Sequence, residues 1–181
     1  TSTGLFFRGG IDVAGHALNA LYALAGGPQD TLGRYSLFGV PFSQYIRPRV
    51  DIRYGLNVTS HSSLVSRFSA GVGIPVGNSS ILPYIKQFYV GGTNSLRSFI
   101  ARSVGPGSEV PPSGYNDVTG DIRLEGNLEY RFRISGTLHG ALFTDAGNIW
   151  LYNEDPARPN GTFRFNTFMN QIAVSAGWGL R

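Results

Sequence analysis

The sequence contains no cysteine. This absence excludes a disulfide scaffold, a thiolate zinc site and a cysteine nucleophile. Charged residues are also scarce, at 14% of 181 residues, and Lys86 is the single lysine, so arginine carries the basic charge. Arginine suits fixed, partly dehydrated ion pairs because its guanidinium group is a rigid fork of donors. The net charge of +4 is modest and the basic residues are dispersed, which disfavours nucleic-acid binding.

Long apolar runs are absent as well. The longest run falls far short of the roughly 20 residues that a membrane-spanning helix needs. No signal peptide is visible, because Thr1-Ser2-Thr3 leads directly into a strand-like run. Leu, Ala, Glu and Lys do not dominate the composition, which disfavours long helices. We predict one short helix, from Ala17 to Leu24, ended by Gly26-Gly27.

The dominant signal is an alternation of apolar and polar side chains with a period of two. It extends over 14 residues from Tyr45 to Val58 and over 14 residues from Asp121 to Ile134. Strands of soluble sandwiches usually have about 5–6 residues, whereas a tilted membrane-spanning strand needs about 9–11. The length therefore favours an all-β, antiparallel transmembrane β-barrel, with one face toward lipid and one toward a polar interior.

Five further runs complete the predicted set of seven strands. They are Gly4–Gly15, Ser62–Val76, Leu82–Val90, Thr137–Leu151 and Met169–Arg181. Bacterial single-chain barrels have even strand numbers, and closure leaves no unpaired edge. We therefore expect the chain to be a seven-stranded segment of a larger barrel.

Pro48 interrupts the first long run, and because proline cannot donate to a strand ladder we predict a β-bulge there.

The connections between the predicted strands differ in length. Bacterial barrels have short periplasmic turns and long extracellular loops, so the long Gly91–Val118 loop is predicted to be extracellular. Gly77–Ser80 is predicted to be a tight turn. Alternation then places the 135–136 turn in the periplasm, 152–164 outside, and the long 16–42 segment in the periplasm.

The long loop and the two strands that follow it carry complementary charges. Arg97 lies in the loop between Leu96 and Phe99, while Glu129 and Asp145 fall on the polar faces of the strands. An unpaired carboxylate inside a narrow barrel is costly, and charge-assisted hydrogen bonds are strong there. We therefore predict that Arg97 reaches both acids. The cluster either positions the loop or only stabilises the interior, since a buried ion pair alone is weak evidence for stability.

Three stretches stand out beyond the alternation; they are Gly91–Phe99, Asn127–Phe132 and Leu142–Trp150. They resemble motifs of the BamA/TamA superfamily of outer-membrane assembly and secretion proteins. The family has an Arg-Gly-aromatic motif on a long extracellular loop that tucks into the barrel, and a Phe-x-Asp-x-Gly motif on a later strand. Residues Gly91, Gly92, Leu96, Arg97, Ser98 and Phe99 correspond to the loop motif, and Phe143, Asp145 and Gly147 to the strand motif.

Two details of the resemblance bear on its meaning. Ser98 stands where the family usually has glycine, which tolerates backbone angles that serine does not. The Gly91-Gly92 lead-in and Gly105–Ser108 look most like Bacteroidota versions, including the TamA-like TamL proteins. The likeness is strongest over 83–181 and implies that the chain, 1–181, covers about strands eight to fourteen of sixteen. The loop over 91–118 would point into the lumen, and the POTRA domains and final strands would lie outside the chain.

The resemblance implies a non-enzymatic function in the bacterial outer membrane, namely assembly, insertion or translocation of other proteins, with no cofactor. The implied partners are outer-membrane lipids, unfolded outer-membrane or surface protein clients, the remaining strands of the barrel, and an inner-membrane TamB-like protein or assembly lipoproteins. A passive channel or a two-partner-type secretion pore is the alternative.

An embedded hydrolase is disfavoured because no Ser/His/acid set has suitable spacing, and a metal site is disfavoured because His16, His61 and His139 lie far apart.

Two smaller patterns remain. Asn78-Ser79-Ser80 fits a glycosylation signal, which we interpret as a chance match in a bacterial envelope protein. Trp150, Tyr152 and Trp178 could anchor the barrel at the membrane interface as an aromatic girdle, with ordinary packing as the alternative.

Overall fold

The computed structural model describes residues 3–110 and 117–180. This part of the chain is built mainly from β-strands. They are β1 (Gly4–Ala14), β2 (Ser36–Leu37), β3 (Val40–Pro41), β4 (Tyr45–Thr59), β5 (Ser62–Val72), β6 (Ile74–Pro75), β7 (Ile122–Ser135), β8 (Leu138–Trp150) and β9 (Ala173–Leu180). One α-helix, α1 (His16–Ala25), and two 3-10 turns, Tyr84–Lys86 and Phe168–Gln171, complete the set. Within the described ranges, no helix is long and apolar enough to cross a membrane.

The long strands form one antiparallel sheet in the order β1-β4-β5-β7-β8-β9. The short strand β6 continues β5 as a partner of β4, and β2 and β3 form a separate small hairpin. Each long strand therefore pairs with its neighbour along the chain. This confirms the predicted all-β, antiparallel architecture, with β1 and β9 as the two edges of the segment.

The register places the predicted apolar faces of successive strands on one side of the sheet. Leu64 pairs with Leu56 on β4 and with Tyr130 on β7, Tyr130 pairs with Leu142, and Leu142 pairs with Trp178. Leu142 is 53% exposed and Trp178 is 73% exposed. A continuous apolar surface that faces outward across the strands is what a lipid-facing barrel wall requires.

The opposite side, called here the polar face, carries charged and amide side chains in matching register. Asn127 on β7 lies opposite Arg67 on β5 and opposite Asp145 on β8. The connection between β6 and β7 packs against this face, and its buried apolar residues form a core there with Ile149 of β8. The members of this core are Phe88, Val90, Leu96, Val104, Val118 and Ile149.

The prediction of a strand from Leu82 to Val90 is wrong. Tyr84–Lys86 is a 3-10 turn, in which Lys86 N donates to Pro83 O (2.8 Å) and Gln87 N to Tyr84 O (3.1 Å). The apparent alternation arises because Leu82, Phe88 and Val90 are buried where this connection packs against the polar face. A single bridge between Phe88 and Gly120 takes the place of a ladder.

Because Leu82–Val90 is not a strand, one of the connections lies on a different side of the membrane from the one predicted. The long connections 15–44, 76–121 and 151–172 all leave the same end of the sheet, and the tight turns at 60–61 and 136–137 lie at the other end. The prediction that 16–42 lies opposite the 91–118 loop is therefore wrong. For the same reason, the predicted tight turn at Gly77–Ser80 is the start of a long connection.

The short helix is confirmed. It extends over His16–Ala25 and ends at Gly26, which has a left-handed φ of 65°, and Gly27 N donates to Tyr22 O at 2.8 Å. A left-handed glycine is the common way to end a helix, because glycine has no Cβ to clash in that conformation.

The predicted bulge at Pro48 is wrong. Pairing of β4 runs in one register from Arg49–Gly71 to Ile46–Ile74. Pro48 lies where β5 gives way to β6, and there Gly73 N donates to Asp121 O (2.6 Å) rather than to β4. On the other side of β4, Pro48 pairs with Ile11 of β1 in unbroken register, so the strand passes through the proline without an extra residue.

The three long connections interlock into one cap. The Asn78 side chain is 4% exposed; its Oδ1 accepts from Tyr35 N (2.6 Å) and its Nδ2 donates to Tyr35 O (2.9 Å) and Phe42 O (2.8 Å). Asn153 Nδ2 donates to Ser80 O (2.8 Å) from the third connection. Asn78 is therefore a structural cross-link between 15–44 and 76–121, and its amide is enclosed by protein.

Trp150 is enclosed too. It is fully buried, packs edge-on against Phe163 and Phe168, and donates from Nε1 to Gln171 Oε1 (2.7 Å). The girdle prediction is therefore wrong for this residue, because the phenylalanines of the 151–172 connection cover it. Trp178, by contrast, is exposed on the apolar face.

Candidate functional site

Two glycines give the start of the long loop its shape. Gly91 and Gly92 have φ values of 98° and 89°, a left-handed region that glycine enters without a steric cost. A Cβ at position 91 would also collide with the carbonyl oxygen of Ile100. Gly92 N donates to Phe99 O at 2.8 Å, so the chain returns on itself and closes the segment that carries Arg97.

Ser98 fits the turn at the tip of this segment. Phe99 N donates to Leu96 O (3.1 Å), which leaves Arg97 and Ser98 as the central residues of the turn. In the described ranges, Phe38 and Arg102 are the non-glycine residues with positive φ. Ser98 therefore has an ordinary backbone conformation, and the position does not require glycine.

Arg97 binds Asp145 of β8 through three hydrogen bonds. Its Nη2 donates to Oδ1 (2.8 Å), its Nε donates to Oδ2 (2.9 Å), and its backbone N donates to Oδ2 (3.1 Å). Two parallel bonds between a guanidinium and a carboxylate fix orientation as well as distance. The Asp145 side chain has no solvent exposure, so the bond is made in a sheltered environment.

The same guanidinium reaches the second predicted acid. Arg97 Nη1 is paired with Glu129 Oε2 on β7, and Arg131 Nε donates to Glu129 Oε1 at 2.7 Å. The Arg97 guanidinium carbon also lies 3.7 Å from the centre of the Phe143 ring, a cation–π contact. The structure thus brings Arg97, Glu129, Asp145 and Phe143 together, and we name these four residues the Arg97 site.

Gly147, the last residue of the strand motif, makes room for the loop. A Cβ at this position would lie 2.7 Å from Leu124 O, 3.2 Å from Glu125 Cα and 3.4 Å from Leu96 Cδ2. Leu96 is fully buried. The glycine therefore allows β7 and β8 to approach each other and leaves room for the Leu96 side chain to pack against β8.

Asn127 supports the Arg97 site, although the sequence indicated it only as the first residue of a motif stretch and not as a site residue. Its Nδ2 donates to Asp145 Oδ1 (3.0 Å) and to Ser95 O (2.8 Å). Its position on the polar face directly opposite Asp145 depends on the register of β7 and β8, although its place in the alternation was visible in the sequence.

A further set of polar residues missed from the sequence surrounds Ser95. Ser95 Oγ donates to Glu125 Oε2 (3.0 Å), and Arg67 Nη1 donates to Glu125 Oε1 (2.7 Å). Arg67 in turn pairs with Asp51 on β4 (2.7 Å). Nothing in the sequence distinguishes Glu125 from the other acids of the polar face.

A third group of residues joins the later part of the loop to the segment that precedes it. Arg102 Nη1 binds Asp117 Oδ1 (2.6 Å) and the Tyr84 hydroxyl, and its guanidinium lies 4.5 Å from the Tyr89 ring centre. Hydrogen bonds from the Tyr84 hydroxyl and then from Arg102 lower the pKa of Asp117, while Asp117 raises the pKa of Tyr84. These interactions hold the two ends of the loop together.

The contacts of the Arg97 site hold the loop in position on the sheet. Glu129 and Asp145 both face guanidinium groups, and the contacts are hydrogen bonds and ion pairs between the loop and the sheet. In residues 3–110 and 117–180 no group of three or more His, Cys, Asp or Glu side chains could hold a metal ion. The arrangement can fix the position of a loop over the polar face.

Comparison with known proteins places this arrangement in a wider group. Residues 29–181 match the family model of the Omp85 superfamily domain. A similar fold occurs in the crystal structure of BamA from Haemophilus ducreyi lacking POTRA domains 1-3, with a TM-score of 0.55 and 18% sequence identity over 75% of this chain. The chain spans 28% of the length of that BamA chain. No curated protein matches the sequence.

Proposed function

The chain belongs to the Omp85 superfamily, and from that premise we propose that it is the C-terminal part of a barrel that inserts or translocates other proteins without enzymatic chemistry. It is a segment of a bacterial outer-membrane β-barrel of the BamA/TamA type. The apolar face contacts outer-membrane lipids and the polar face lines the lumen, because closing the sheet with the apolar face outward satisfies both environments.

The observation that carries the proposal is the fixed loop. The segment 91–99 lies against the polar face and is bound there by Arg97. In a closed barrel this places the loop in the lumen, where it obstructs free passage. A water-filled channel needs an open lumen, whereas a lumen occupied by a bound loop fits a barrel that handles polypeptides at its wall.

The roles within the loop follow from their contacts. Arg97, Glu129 and Asp145 act as the loop lock, and Phe143 covers the guanidinium. The remaining motif residues shape the loop and its seat on the sheet; they are Gly91, Gly92, Leu96, Ser98, Phe99 and Gly147.

The proposed partners are of three kinds. Unfolded outer-membrane or surface proteins are the clients, and the remaining strands of the same barrel pair with the edges β1 and β9. An inner-membrane TamB-like protein or assembly lipoproteins would cooperate from the periplasm. Such partners fit a barrel whose tight turns, at 60–61 and 136–137, face the periplasm.

The direct test is Arg97→Ala in the full-length protein. We expect the variant to reach the outer membrane in normal amounts while the levels of its assembled clients fall, because the loop loses its attachment to Asp145 and Glu129. Arg158→Ala is the matched control, since Arg158 forms a partly exposed ion pair with Asp155 within one connection (2.8 Å), away from the Arg97 site. Normal client levels in the Arg97→Ala strain would contradict the proposal, and a steady open conductance of the wild-type protein in liposomes would favour a passive channel.

A further inference from the structure

We propose that Glu125 and Arg67 form a second anchor for the long loop, separate from the Arg97 site, which ties the loop to β4 and β5 as well as to β7 and β8. The inference deepens the proposed function and rests on it only for the consequence in client assembly. The attachment of the loop to Glu125 and Arg67 is tested separately, by a distance measurement that does not involve clients.

The anchor begins at the hydroxyl of Ser95. Ser95 Oγ accepts a hydrogen bond from Gly91 N (3.1 Å) and donates one to Glu125 Oε2 (3.0 Å). The hydroxyl therefore joins the left-handed glycine at the start of the loop to a side chain of β7. Gly91 has a φ of 98°, which favours glycine, so the glycine holds its N–H where Ser95 Oγ can accept it.

Glu125 is the buried centre of the anchor. Its side chain is 1% exposed, and a buried carboxylate is stable only when charged and polar partners compensate the loss of water. Arg67 Nη1 provides the opposite charge at 2.7 Å from Oε1, and Ser95 provides the hydrogen bond to Oε2. One of the two carboxylate oxygens is thus satisfied by the sheet and the other by the loop.

Arg67 extends the connection in two directions. Its Nη1 also donates to Asn94 O of the loop (3.1 Å), while its Nη2 and Nε bind Asp51 Oδ2 on β4 at 2.7 and 2.8 Å. Arg53 Nε donates to the other oxygen of Asp51 (2.8 Å). A single guanidinium on β5 therefore contacts the loop, β7 and β4.

The two anchors use different charged side chains. The Arg97 site uses Glu129 and Asp145, whereas the second anchor uses Glu125 and Arg67. Asn127 lies between them and donates to both Ser95 O and Asp145 Oδ1. Consecutive loop residues from 94 to 97 are thus held by three neighbouring strands, so loss of Arg97 alone leaves the loop attached at Ser95.

A distance measurement tests the anchor without reference to clients. The chain contains no cysteine, so Thr93→Cys in the loop and Ser60→Cys in the opposite turn can carry a pair of spin labels in the full-length barrel, with any cysteine outside this chain replaced. Ser95→Ala should broaden the label-to-label distance distribution and shift it to longer distances. Ser80→Ala, at an exposed position of the same 76–121 connection, is the matched control and should leave the distribution unchanged, because the variant keeps the carbonyl oxygen that Asn153 binds.

Two further variants complete the design. Glu125→Gln keeps the shape and removes the charge, so it should broaden the distribution as Ser95→Ala does; if it does not fold, Ser95→Ala carries the test. The double variant Ser95→Ala/Arg97→Ala should release the loop further than either single variant, because the anchors are separate.

The outcomes separate the anchor from the proposed function. Unchanged distances in Ser95→Ala, together with a broadened distribution in Arg97→Ala, would overturn the second anchor and leave the Arg97 site standing. A broadened distribution in both variants with normal client assembly would support the anchor and contradict the proposed function instead.

Discussion

Asp145 binds Arg97 through both the main chain and the side chain of the arginine. The carboxylate accepts the backbone N–H at 3.1 Å and two guanidinium N–H groups at 2.8 and 2.9 Å. The backbone bond fixes where the turn sits, and the two side-chain bonds fix how the guanidinium is oriented. The pair therefore determines the position of the loop more closely than an ion pair between two flexible side chains could.

This geometry distinguishes arginine from lysine at position 97. Arg97→Lys keeps the positive charge but cannot make two parallel bonds to Asp145 while also reaching Glu129. We expect a loss of stability of about 2 kcal/mol and a client-assembly defect between those of wild type and Arg97→Ala. Thermal unfolding of the refolded barrel in detergent measures the first, and client levels in the outer membrane measure the second. Full function in Arg97→Lys would show that charge alone is sufficient.

The two acids of the Arg97 site should differ in their contribution. Asp145 has no exposed side-chain surface, whereas the Glu129 side chain is 15% exposed. Removing one partner of a buried ion pair costs about 3–5 kcal/mol, so Asp145→Asn should approach that range. Glu129→Gln should cost about 1 kcal/mol, because Arg97 keeps its bonds to Asp145. Thermal unfolding of both variants side by side decides the order, and equal losses would argue against it.

A methyl group at position 147 should displace the loop. Gly147→Ala brings its Cβ to 2.7 Å from Leu124 O, and such overpacking costs about 1–3 kcal/mol. Gly126→Ala is the matched control, because no atom lies within 4 Å of a Cβ built there. Protease sensitivity of the long loop in intact outer membranes reports its position. A Gly147→Ala barrel as resistant as the Gly126→Ala barrel would contradict the packing argument.

The cap should depend on Asn78. Asn78→Ala removes a buried amide and leaves the Tyr35 N–H and the Tyr35 and Phe42 carbonyl groups without their partner. An unsatisfied buried polar group costs about 1–3 kcal/mol. We expect faster proteolysis within 15–44 and a lower unfolding temperature. Asn166→Ala, at an exposed position, should change neither property; equal behaviour of the two variants would remove the cross-link assignment.

Several features of this protein could be predicted from neighbouring residues alone. The period of two over Tyr45–Val58 and Asp121–Ile134 fixes which side chains share a face, because successive side chains of a strand point to opposite sides. The same pattern placed Glu129 and Asp145 on one face, and the loop was long enough for Arg97 to reach them. The charged members of the Arg97 site therefore followed from local chemistry, whereas Phe143 was indicated only by the resemblance to the BamA/TamA strand motif.

Other features depended on contacts between distant parts of the chain. Leu82–Val90 alternates like a strand but is buried by packing on the sheet, and this error also changed the side assigned to 16–42. The second anchor was hidden because Glu125 resembles every other acid of the polar face. Its bond to Ser95 arises only when the register of β5, β7 and β8 and the turn of the loop bring the two together. The sequence by itself determined the faces of the strands and the charges they carry, whereas the tertiary structure decided which charges meet, since a side chain's partner depends on strand register and loop path rather than on its own position in the alternation.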